Sequence, residues 1–329
     1  MQLPSLEDVR AAAARIKPYA VRTPLVESPV LSTLTGGRVL LKLETLQRVG
    51  AFKFRGAFNK ISQVDREKYP GGVVACSSGN HAQGVADAAA LLGLRAAIVM
   101  PADAPAIKVA RTRALGAEVV TYDRDREDRM AIAKRLAAER RAAMVHPFDD
   151  PDIIAGQGTT GLEIVEQCQA MGLMPEALLA PCSGGGLVTG IAIAVKAQVP
   201  GFAVYAVEPA GFDDLARSLA SGQIEHNARM SGSICDALLS AEPGKLTFAL
   251  ARRLLEGSLT VSDDEVRRAM RLAFEELKLV VEPGGAAALA ALLAGRIEVR
   301  GRTVVIVLSG GNVDPALYAS IITAPTTVA

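Results

Sequence analysis

The sequence has few cysteines, no long apolar run and no block of like charge, and each absence excludes a class of protein. Its four cysteines, Cys76, Cys168, Cys182 and Cys235, form no C-x-x-C pair, so reduced thiols are expected rather than a zinc site or a disulfide framework. No stretch approaches the roughly 18 uninterrupted apolar residues of a membrane span. The formal net charge is only +1, so electrostatic attraction to nucleic acid or to an anionic membrane is not expected.

The first ten residues also lack an apolar run. They include Glu7 and Asp8, whereas a secretory signal needs a basic start and an apolar core, so the sequence predicts a cytoplasmic protein. Ser5, just before these acids, indicates the cap of an amphipathic helix. A chain of 329 residues predicts either two lobes, with a cleft between them, or one large α/β unit. Half of the residues are hydrophobic, which is ample for a buried core, and 22% are charged.

Short β-rich runs alternate with amphipathic, alanine-rich stretches, a pattern typical of α/β proteins with parallel sheets. The predicted strands are 73–76, 96–100, 118–121, 177–180, 203–207 and 303–308. The predicted helices are 81–92, 107–115, 129–139, 186–197 and 263–279. Ligands of such sheets bind beyond the carboxyl ends of the strands, so the loops that follow strands are the first candidates for a site.

A glycine-rich loop at residues 183–187 (SGGGL) follows the predicted strand 177–180 and precedes a helix. Glycines let the backbone approach a ligand closely, and the first amides of a helix favour an anion, so the loop predicts a phosphate site. It has neither the Gly-Lys-Ser/Thr of a P-loop nor the G-x-G-x-x-G of a dinucleotide fold, which disfavours a nucleotide. A tight turn without a ligand is the alternative.

Lys53 lies between Phe52 and Phe54, near the start of a predicted amphipathic helix that continues through Ile61. A lysine among apolar groups loses solvation of its charge, which lowers the pKa of the amine and allows it to form a Schiff base. A surface lysine with its stem along apolar neighbours is the alternative that spacing alone favours. Arg55 is expected to be structural in either case.

Two further loops bring polar groups to predicted strand ends. Residues 77–81 (SSGNH) offer hydroxyl, amide and imidazole groups that can orient an anionic ligand, although Ser78 or Asn80 is equally suited to be a helix N-cap. Ser309 places a hydroxyl at the end of the predicted strand 303–308. Taken alone, this second loop is merely a turn.

Together these segments resemble, over nearly the whole chain, the type II fold of pyridoxal-phosphate enzymes, in the group of threonine and serine dehydratases and serine racemases. The segments that carry the resemblance are GAFKFRGAFNK (50–60), SSGNHAQG (77–84), AGQGT (155–159), SGGGL (183–187), EPGGAAAL (282–289) and LSGGNVD (308–314). The resemblance implies two open parallel-sheet domains, tryptophan synthase beta-like, with pyridoxal 5'-phosphate in the cleft between them. Residues 1–65 and 150–329 would form the large cofactor-binding domain, and 66–149 the small domain that closes on the substrate. A Pro and Asp cluster at 147–151 also suggests a boundary there.

The resemblance also assigns the site residues. Lys53 is implied to bind the cofactor aldehyde and to remove the α proton, and Ser78 to allow racemisation from the opposite face. The implied cofactor-binding residues are Phe52, Lys53, Asn80, Ser183, Gly184, Gly185, Gly186, Leu187 and Ser309. The implied substrate-binding residues are Ser77, Ser78, Asn80, His81 and Arg129, with Arg126 as the alternative to Arg129.

The implied reaction removes water from L-threonine or L-serine and gives a 2-oxo acid and ammonia. Because the Ser309 hydroxyl cannot stabilise a pyridinium as a carboxylate would, the ring is a weaker electron sink, and rapid loss of the β-hydroxyl is favoured. Serine racemase and 3-hydroxyaspartate dehydratase of the same fold are the alternatives. Cysteine synthase relatives differ around the lysine, and a Rossmann dehydrogenase leaves Lys53 and the SSGNH turn without roles.

A loop at residues 208–214 (EPAGFDD) resembles the divalent-cation site of the same group. Glu208, Phe212 through its carbonyl and Asp214 are implied to bind Mg²⁺ or Ca²⁺, which prefer oxygen ligands; a solvated acidic loop is the alternative. Ala237 stands where related enzymes generally have glycine and is expected to affect the choice of substrate. No regulatory domain is expected after LSGGNVD, and a homodimer is usual for the family.

Overall fold

The structure, a computed structural model, describes residues 2–104, 106–123 and 126–324, without the side chain of Ile107. In this part of the chain a larger sheet contains β1 (Leu25–Glu27), β2 (Arg38–Leu43), β7 (Ala177–Pro181), β8 (Ala203–Pro209), β9 (Gly257–Val261) and β10 (Thr303–Leu308). A smaller sheet contains β3 (Val73–Cys76), β4 (Ala96–Pro101), β5 (Glu118–Tyr122) and β6 (Ala143–Met144). The strand orders are β1-β2-β10-β7-β8-β9 and β5-β4-β3-β6.

Parallel pairing dominates both sheets, as the alternation of strands and helices predicts. β1 alone among the named strands pairs antiparallel, with β2 at the edge of the larger sheet. The four strands of the smaller sheet lie between residues 73 and 144. The division of the chain into domains at residues 66 and 149 stays a prediction.

The helices cover both faces of the larger sheet and flank the smaller one. The first seven are α1 (Leu6–Ile16), α2 (Pro29–Thr35), α3 (Lys53–Ile61), α4 (Asn80–Leu91), α5 (Ala106–Ala114), α6 (Arg129–Arg140) and α7 (Pro151–Ala170). The others are α8 (Gly186–Gln198), α9 (Asp214–Ser221), α10 (Lys245–Leu254), α11 (Asp263–Glu275), α12 (Pro283–Leu293) and α13 (Pro315–Ile322). No helix among the described residues combines the length and the apolar character that crossing a bilayer requires.

Strand β10 shows how the core is built. It is buried along most of its length; Val304, Ile306 and Leu308 pack in one apolar cluster with α12, while Val305 and Val307 pack in another with α8. Side chains of a strand alternate between the faces of its sheet, so a run of β-branched residues fits a strand that is covered on both sides. The same property makes such a strand recognisable in the sequence.

The cap predicted at the amino terminus is confirmed. The Ser5 side chain accepts a hydrogen bond from the Asp8 amide at 3.3 Å, and the Asp8 carboxylate accepts one from the Ser5 amide at 2.8 Å. The predicted helix 263–279 is too long, because α11 ends at Glu275. The chain then turns back through Lys278, whose φ is 58°, a value that a helix cannot contain.

Candidate active site

A cavity of about 190 Å³ lies at the loops that follow β3, β7 and β10. The sequence-predicted residues that line it are Phe52, Lys53, Ser77, Ser78, Asn80, His81, Arg129, Ser183, Gly185, Gly186, Leu187 and Ser309. Gly184 belongs to the same glycine loop without lining the cavity, and Glu208, Phe212 and Asp214 lie elsewhere. The fold therefore gathers residues that are far apart in the chain at the carboxyl ends of strands from both sheets.

Lys53 is the first residue of α3, and its amine points into the cavity. The Nζ atom donates a hydrogen bond to the carbonyl oxygen of Pro147 at 2.7 Å and lies 5.1 Å from the centre of the Phe52 ring. Loss of solvation lowers the pKa of the Lys53 amine to about 8. Lys53 is therefore not a surface lysine, and part of its population is unprotonated near neutral pH.

The glycine loop forms a close-fitting turn ahead of α8. Gly184 and Gly185 have φ of 68° and 97°, and a Cβ atom on Gly185 would lie 2.8 Å from Cβ of Thr247. No side chain caps the start of α8, so the first amides of this helix are available to an anion. Ser183 is held in place by Ser240, whose amide donates to the Ser183 Oγ at 3.0 Å. A turn with these properties fits the phosphate of pyridoxal 5'-phosphate.

Asn80 is the first residue of α4, and hydrogen bonds hold both the nitrogen and the oxygen of its side-chain amide. Its Nδ2 donates to Glu282 Oε1 at 2.6 Å, and its Oδ1 accepts from Asn312 Nδ2 at 2.9 Å. The helix N-cap is Gly79, with no side-chain cap bond, so neither Ser78 nor Asn80 serves as the cap. Burial raises the pKa of Glu282 to about 7.

The roles of Glu282 and Asn312 were missed at the level of sequence. Both belong to segments that carry the family resemblance, EPGGAAAL and LSGGNVD. The available signal was a polar residue in a run of small and apolar ones, which does not by itself reveal a partner. Asn80 and Glu282 are 202 positions apart in the chain, so only the fold shows that they meet.

His81 is buried beside Lys53 and is neutral at physiological pH. Loss of solvation, followed by the Lys53 charge, lowers the pKa of His81 to about 3. Its Nε2 lies 3.1 Å from the carbonyl oxygen of Val145; a carbonyl only accepts, so this nitrogen carries the proton. The Nδ1 atom is a buried acceptor without a partner among the described residues. A neutral imidazole of this tautomer cannot balance a carboxylate, which leaves that role to other groups.

Three basic residues of the helices that flank the smaller sheet also line the cavity. They are Lys108 and Arg111 of α5 and Arg129 of α6. Lys108 forms an ion pair with Asp236 from the other side of the cavity. Ala237, the residue after Asp236, also lines the cavity, so the size of its side chain affects the space for a substrate.

Glu208 is buried at the end of β8 rather than exposed in a solvated loop. Its carboxylate accepts hydrogen bonds from the amides of Leu215 and Ala216 at 2.9 and 2.8 Å, and from the Ser258 hydroxyl at 2.6 Å. Burial raises the pKa of Glu208 to about 8. The alternative of a solvated acidic loop is therefore wrong for this residue.

Asp214 is also buried, at the first position of α9. Its Oδ1 accepts from Asn227 Nδ2 at 2.6 Å, while Oδ2 is buried without a partner among the described residues. Burial raises the pKa of Asp214 to about 6. Phe212 is buried in the connecting loop. The described residues contain no cluster of three or more His, Cys, Asp or Glu side chains arranged for a metal, so side-chain carboxylates alone do not make a complete metal site.

The fold and the cavity fit an α/β enzyme that binds a phosphate-bearing cofactor in the cavity lined by a lysine of lowered pKa. The sequence profile of the family described as pyridoxal-phosphate dependent enzyme matches residues 16–310. The chain is 44% identical to the L-threo-3-hydroxyaspartate ammonia-lyase of Saccharomyces cerevisiae, over 98% of this chain and 97% of that protein. It is 40% identical to the L-threonine ammonia-lyase of Thermotoga maritima, over 97% of this chain and 78% of that protein.

Among solved structures, the chain is similar to maize serine racemase, with a TM-score of 0.91, 38% identity and 97% of each chain covered. The chain therefore belongs to the pyridoxal-phosphate-dependent enzyme family, and its fold is type II of that family. The resemblance seen in the sequence is confirmed at this level.

Proposed function

We propose that this chain eliminates water from small hydroxy amino acids, L-threonine and L-serine, and releases a 2-oxo acid and ammonia. One observation carries the proposal: an inward-facing lysine of lowered pKa shares a cavity with an anion-binding glycine turn and a polar loop at the start of α4. Relatives named as ammonia-lyases, at 40 to 45% identity, support it. We place the reaction in the cytoplasm, in a homodimer whose small domain, residues 66–149, closes on the substrate.

Bound pyridoxal 5'-phosphate supplies the sink for the electron pair left when the substrate loses its α proton. Lys53 accepts that proton at Nζ, for which the lowered pKa of its amine suits it. The loop at residues 183–187 and the first amides of α8 would hold the phosphate, while Phe52, Asn80 and Ser309, which line the same cavity, would contact the ring. Glu282 and Asn312 keep the Asn80 amide in one orientation.

The substrate carboxylate needs donors, and the start of α4 supplies them. The Ser78 hydroxyl and the uncapped first amides of α4 face the cavity, and Arg129 adds a positive charge. Ser77 also shapes the turn, because its Oγ accepts from the Gly79 amide at 3.2 Å. His81, being neutral, contributes the acceptor Nδ1 and excludes water from the space next to Lys53 rather than balancing charge.

Release of 2-oxo acid from L-threonine and L-serine by the purified, cofactor-loaded protein tests the proposed function. We expect both amino acids to give product, together with an equal amount of ammonia. Reduction of the 2-oxo acid by a coupled dehydrogenase gives a continuous reading. If neither amino acid yields product while the cofactor is bound, the proposed elimination is wrong.

Racemisation of serine is a second candidate function, and the place of Ser78 in the cavity that contains Lys53 favours it. Racemisation requires that one group removes the α proton and that another delivers a proton to the opposite face of the α carbon. A hydroxyl on the face opposite Lys53 can deliver that proton. We expect Ser78→Ala to suppress formation of D-serine from L-serine by about tenfold more than it suppresses ammonia release. Chiral chromatography and an ammonia assay on one reaction measure both. Equal loss of the two activities would count against this role.

We also propose that Glu208, the Phe212 carbonyl and Asp214 bind Mg²⁺ or Ca²⁺. Both carboxylates are buried, and Asp214 Oδ2 has no hydrogen-bond partner among the described residues. Both observations support the proposal, since a cation stabilises a buried carboxylate oxygen of this kind. The ion would lie at the junction of β8 and α9, outside the cavity. Its role would be to stabilise the larger sheet.

The Asp214→Asn variant tests the metal proposal, because it removes the charge and keeps the acceptor for Asn227. We expect Mg²⁺ to raise the melting temperature of the unchanged protein over that in a chelator, with a stabilisation of about 2.7 kcal/mol at a hundredfold excess over Kd. Asp214→Asn should lose this increment. The matched control is Asp213→Asn at the preceding, less buried position, which should keep it. No difference between Mg²⁺ and chelator in the unchanged protein would remove the proposal.

A further inference from the structure

The helices that flank the smaller sheet present more positive charge to the cavity than one substrate carboxylate requires. Lys108 and Arg111 are three residues apart on α5, so they project from the same face of the helix. Arg129, from α6, lines the same cavity. A monocarboxylic substrate such as serine offers one anionic group, and the start of α4 already provides amides and hydroxyls for it.

The partners of these basic residues differ. Lys108 is engaged by Asp236, a carboxylate that reaches it from the other side of the cavity. Arg111, by contrast, forms no ion pair within the described part of the chain, and its side chain is exposed at the cavity wall. The Lys108 pair shows that a carboxylate fits against this face of α5. One further cation on that face, Arg111, remains open to a carboxylate from solution.

We propose that Arg111 binds the second carboxylate of the substrate, so that the preferred substrate is a hydroxy amino acid with a carboxylate on its β carbon, 3-hydroxyaspartate. The proposal rests on the proposed elimination and names its substrate class. The planar guanidinium of arginine suits a carboxylate because it can donate two parallel hydrogen bonds. Asp236 holds Lys108 and thereby keeps the neighbouring ammonium from competing for the same group.

An exposed arginine at a cavity is ordinarily solvated. Kinetic measurements distinguish a solvated Arg111 from one that binds the substrate carboxylate. The ratio of kcat/KM for L-threo-3-hydroxyaspartate to that for L-serine is measured for the cofactor-loaded protein and for two variants. We expect the ratio to exceed about ten in the unchanged protein and to fall about tenfold or more in Arg111→Gln, the loss expected for one charge-assisted hydrogen bond. Arg111→Lys should recover part of it.

The matched control is Arg113→Gln. Arg113 is an exposed arginine of the same helix that does not line the cavity, so its replacement removes the same charge from α5 and should leave the ratio unchanged. A ratio that stays the same in Arg111→Gln, or that falls equally in Arg113→Gln, overturns the proposal. The first result would mean a solvated arginine, and the second a general effect of helix charge.

A binding measurement keeps this inference separate from the proposed elimination. L-Aspartate and L-alanine lack a β-hydroxyl to lose, so their binding to the cofactor-loaded protein can be followed by calorimetry without elimination. We expect Arg111→Gln to lower the affinity for L-aspartate about tenfold and the affinity for L-alanine much less. If no amino acid gives product but this difference is seen, the elimination is wrong and the Arg111 site stands. If the affinities for the two ligands fall by the same factor, the Arg111 site is wrong, whether or not the protein eliminates water.

Discussion

Replacing Lys53 by alanine is expected to lower 2-oxo acid release from L-threonine and L-serine by about a thousandfold or more. The variant loses the only amine that α3 brings to the cavity, and with it the group that we propose both as the anchor for the cofactor aldehyde and as the acceptor for the α proton. Burial lowers the pKa of the Lys53 amine to about 8, which suits this lysine to both proposed roles better than a solvated one.

Two measurements distinguish loss of chemistry from loss of fold. Borohydride should fix the cofactor to the unchanged chain, seen as an added mass on the intact protein, and should fix none at this position in Lys53→Ala. Circular dichroism should be the same for both proteins, since Lys53 makes a single hydrogen bond to the Pro147 carbonyl. The control is Lys68→Ala, an exposed lysine outside the cavity. Turnover that persists in a folded Lys53→Ala protein would remove the assignment of the active site.

Strands β3 and β10 have the same bounds in the structure as in the sequence analysis. Both are short apolar runs rich in β-branched residues, and both are covered on two faces, so the local preference and the tertiary environment agree. The polar loops after them were recognisable for the same reason. A parallel sheet fixes where a strand ends, and the residues that follow are placed at the ligand-binding edge.

Helix α7 was missed, although it is 20 residues long. It contains Gly156, Gly158 and Gly161, which oppose a helix by intrinsic preference. The packing explains them: a Cβ atom at Gly156 would lie 2.6 Å from Cα of Gly56 in α3, and one at Gly158 would lie 2.8 Å from the carbonyl oxygen of Gly190 in α8. These glycines allow close approach between helices, and that requirement is visible only once the neighbours are in place.

The sequence motifs predicted the main residues of the candidate site, but they did not predict the residue pairs that come together only in the fold. Lys53 and the loop at residues 183–187 each carry a local signature of glycines or aromatics. Lys108 and Asp236 do not, because each is an ordinary charged residue until the fold brings them together across 128 positions. Arg111 is similar, since a basic residue on an amphipathic helix usually indicates a solvated face.

Arg55 is the residue whose loss is expected to destabilise the protein most. It is fully buried, and its guanidinium donates to both carboxylate oxygens of Glu44, each at 2.8 Å, and to Glu163 Oε1 at 2.7 Å. Glu44 is fully buried as well, while Lys42 binds the other oxygen of Glu163 at 2.6 Å. The cluster ties α3 to β2 and α7, two residues beyond Lys53.

The Arg55→Met variant should lose about 3 to 5 kcal/mol of unfolding free energy, because it leaves Glu44 charged and buried without its arginine. Urea unfolding followed by circular dichroism measures the change. The control is Arg10→Met, which breaks an exposed ion pair with Glu7 and should cost less than about 1 kcal/mol.

The double variant Arg55→Met with Glu44→Gln separates charge burial from lost packing. It removes the uncompensated carboxylate, so it should recover a substantial part of the stability lost in Arg55→Met. A double variant no more stable than Arg55→Met would mean that the guanidinium acts through its packing and not through its charge. Cofactor retention in the same series shows whether the buried ion cluster also holds Lys53 in position, since α3 begins only two residues before Arg55.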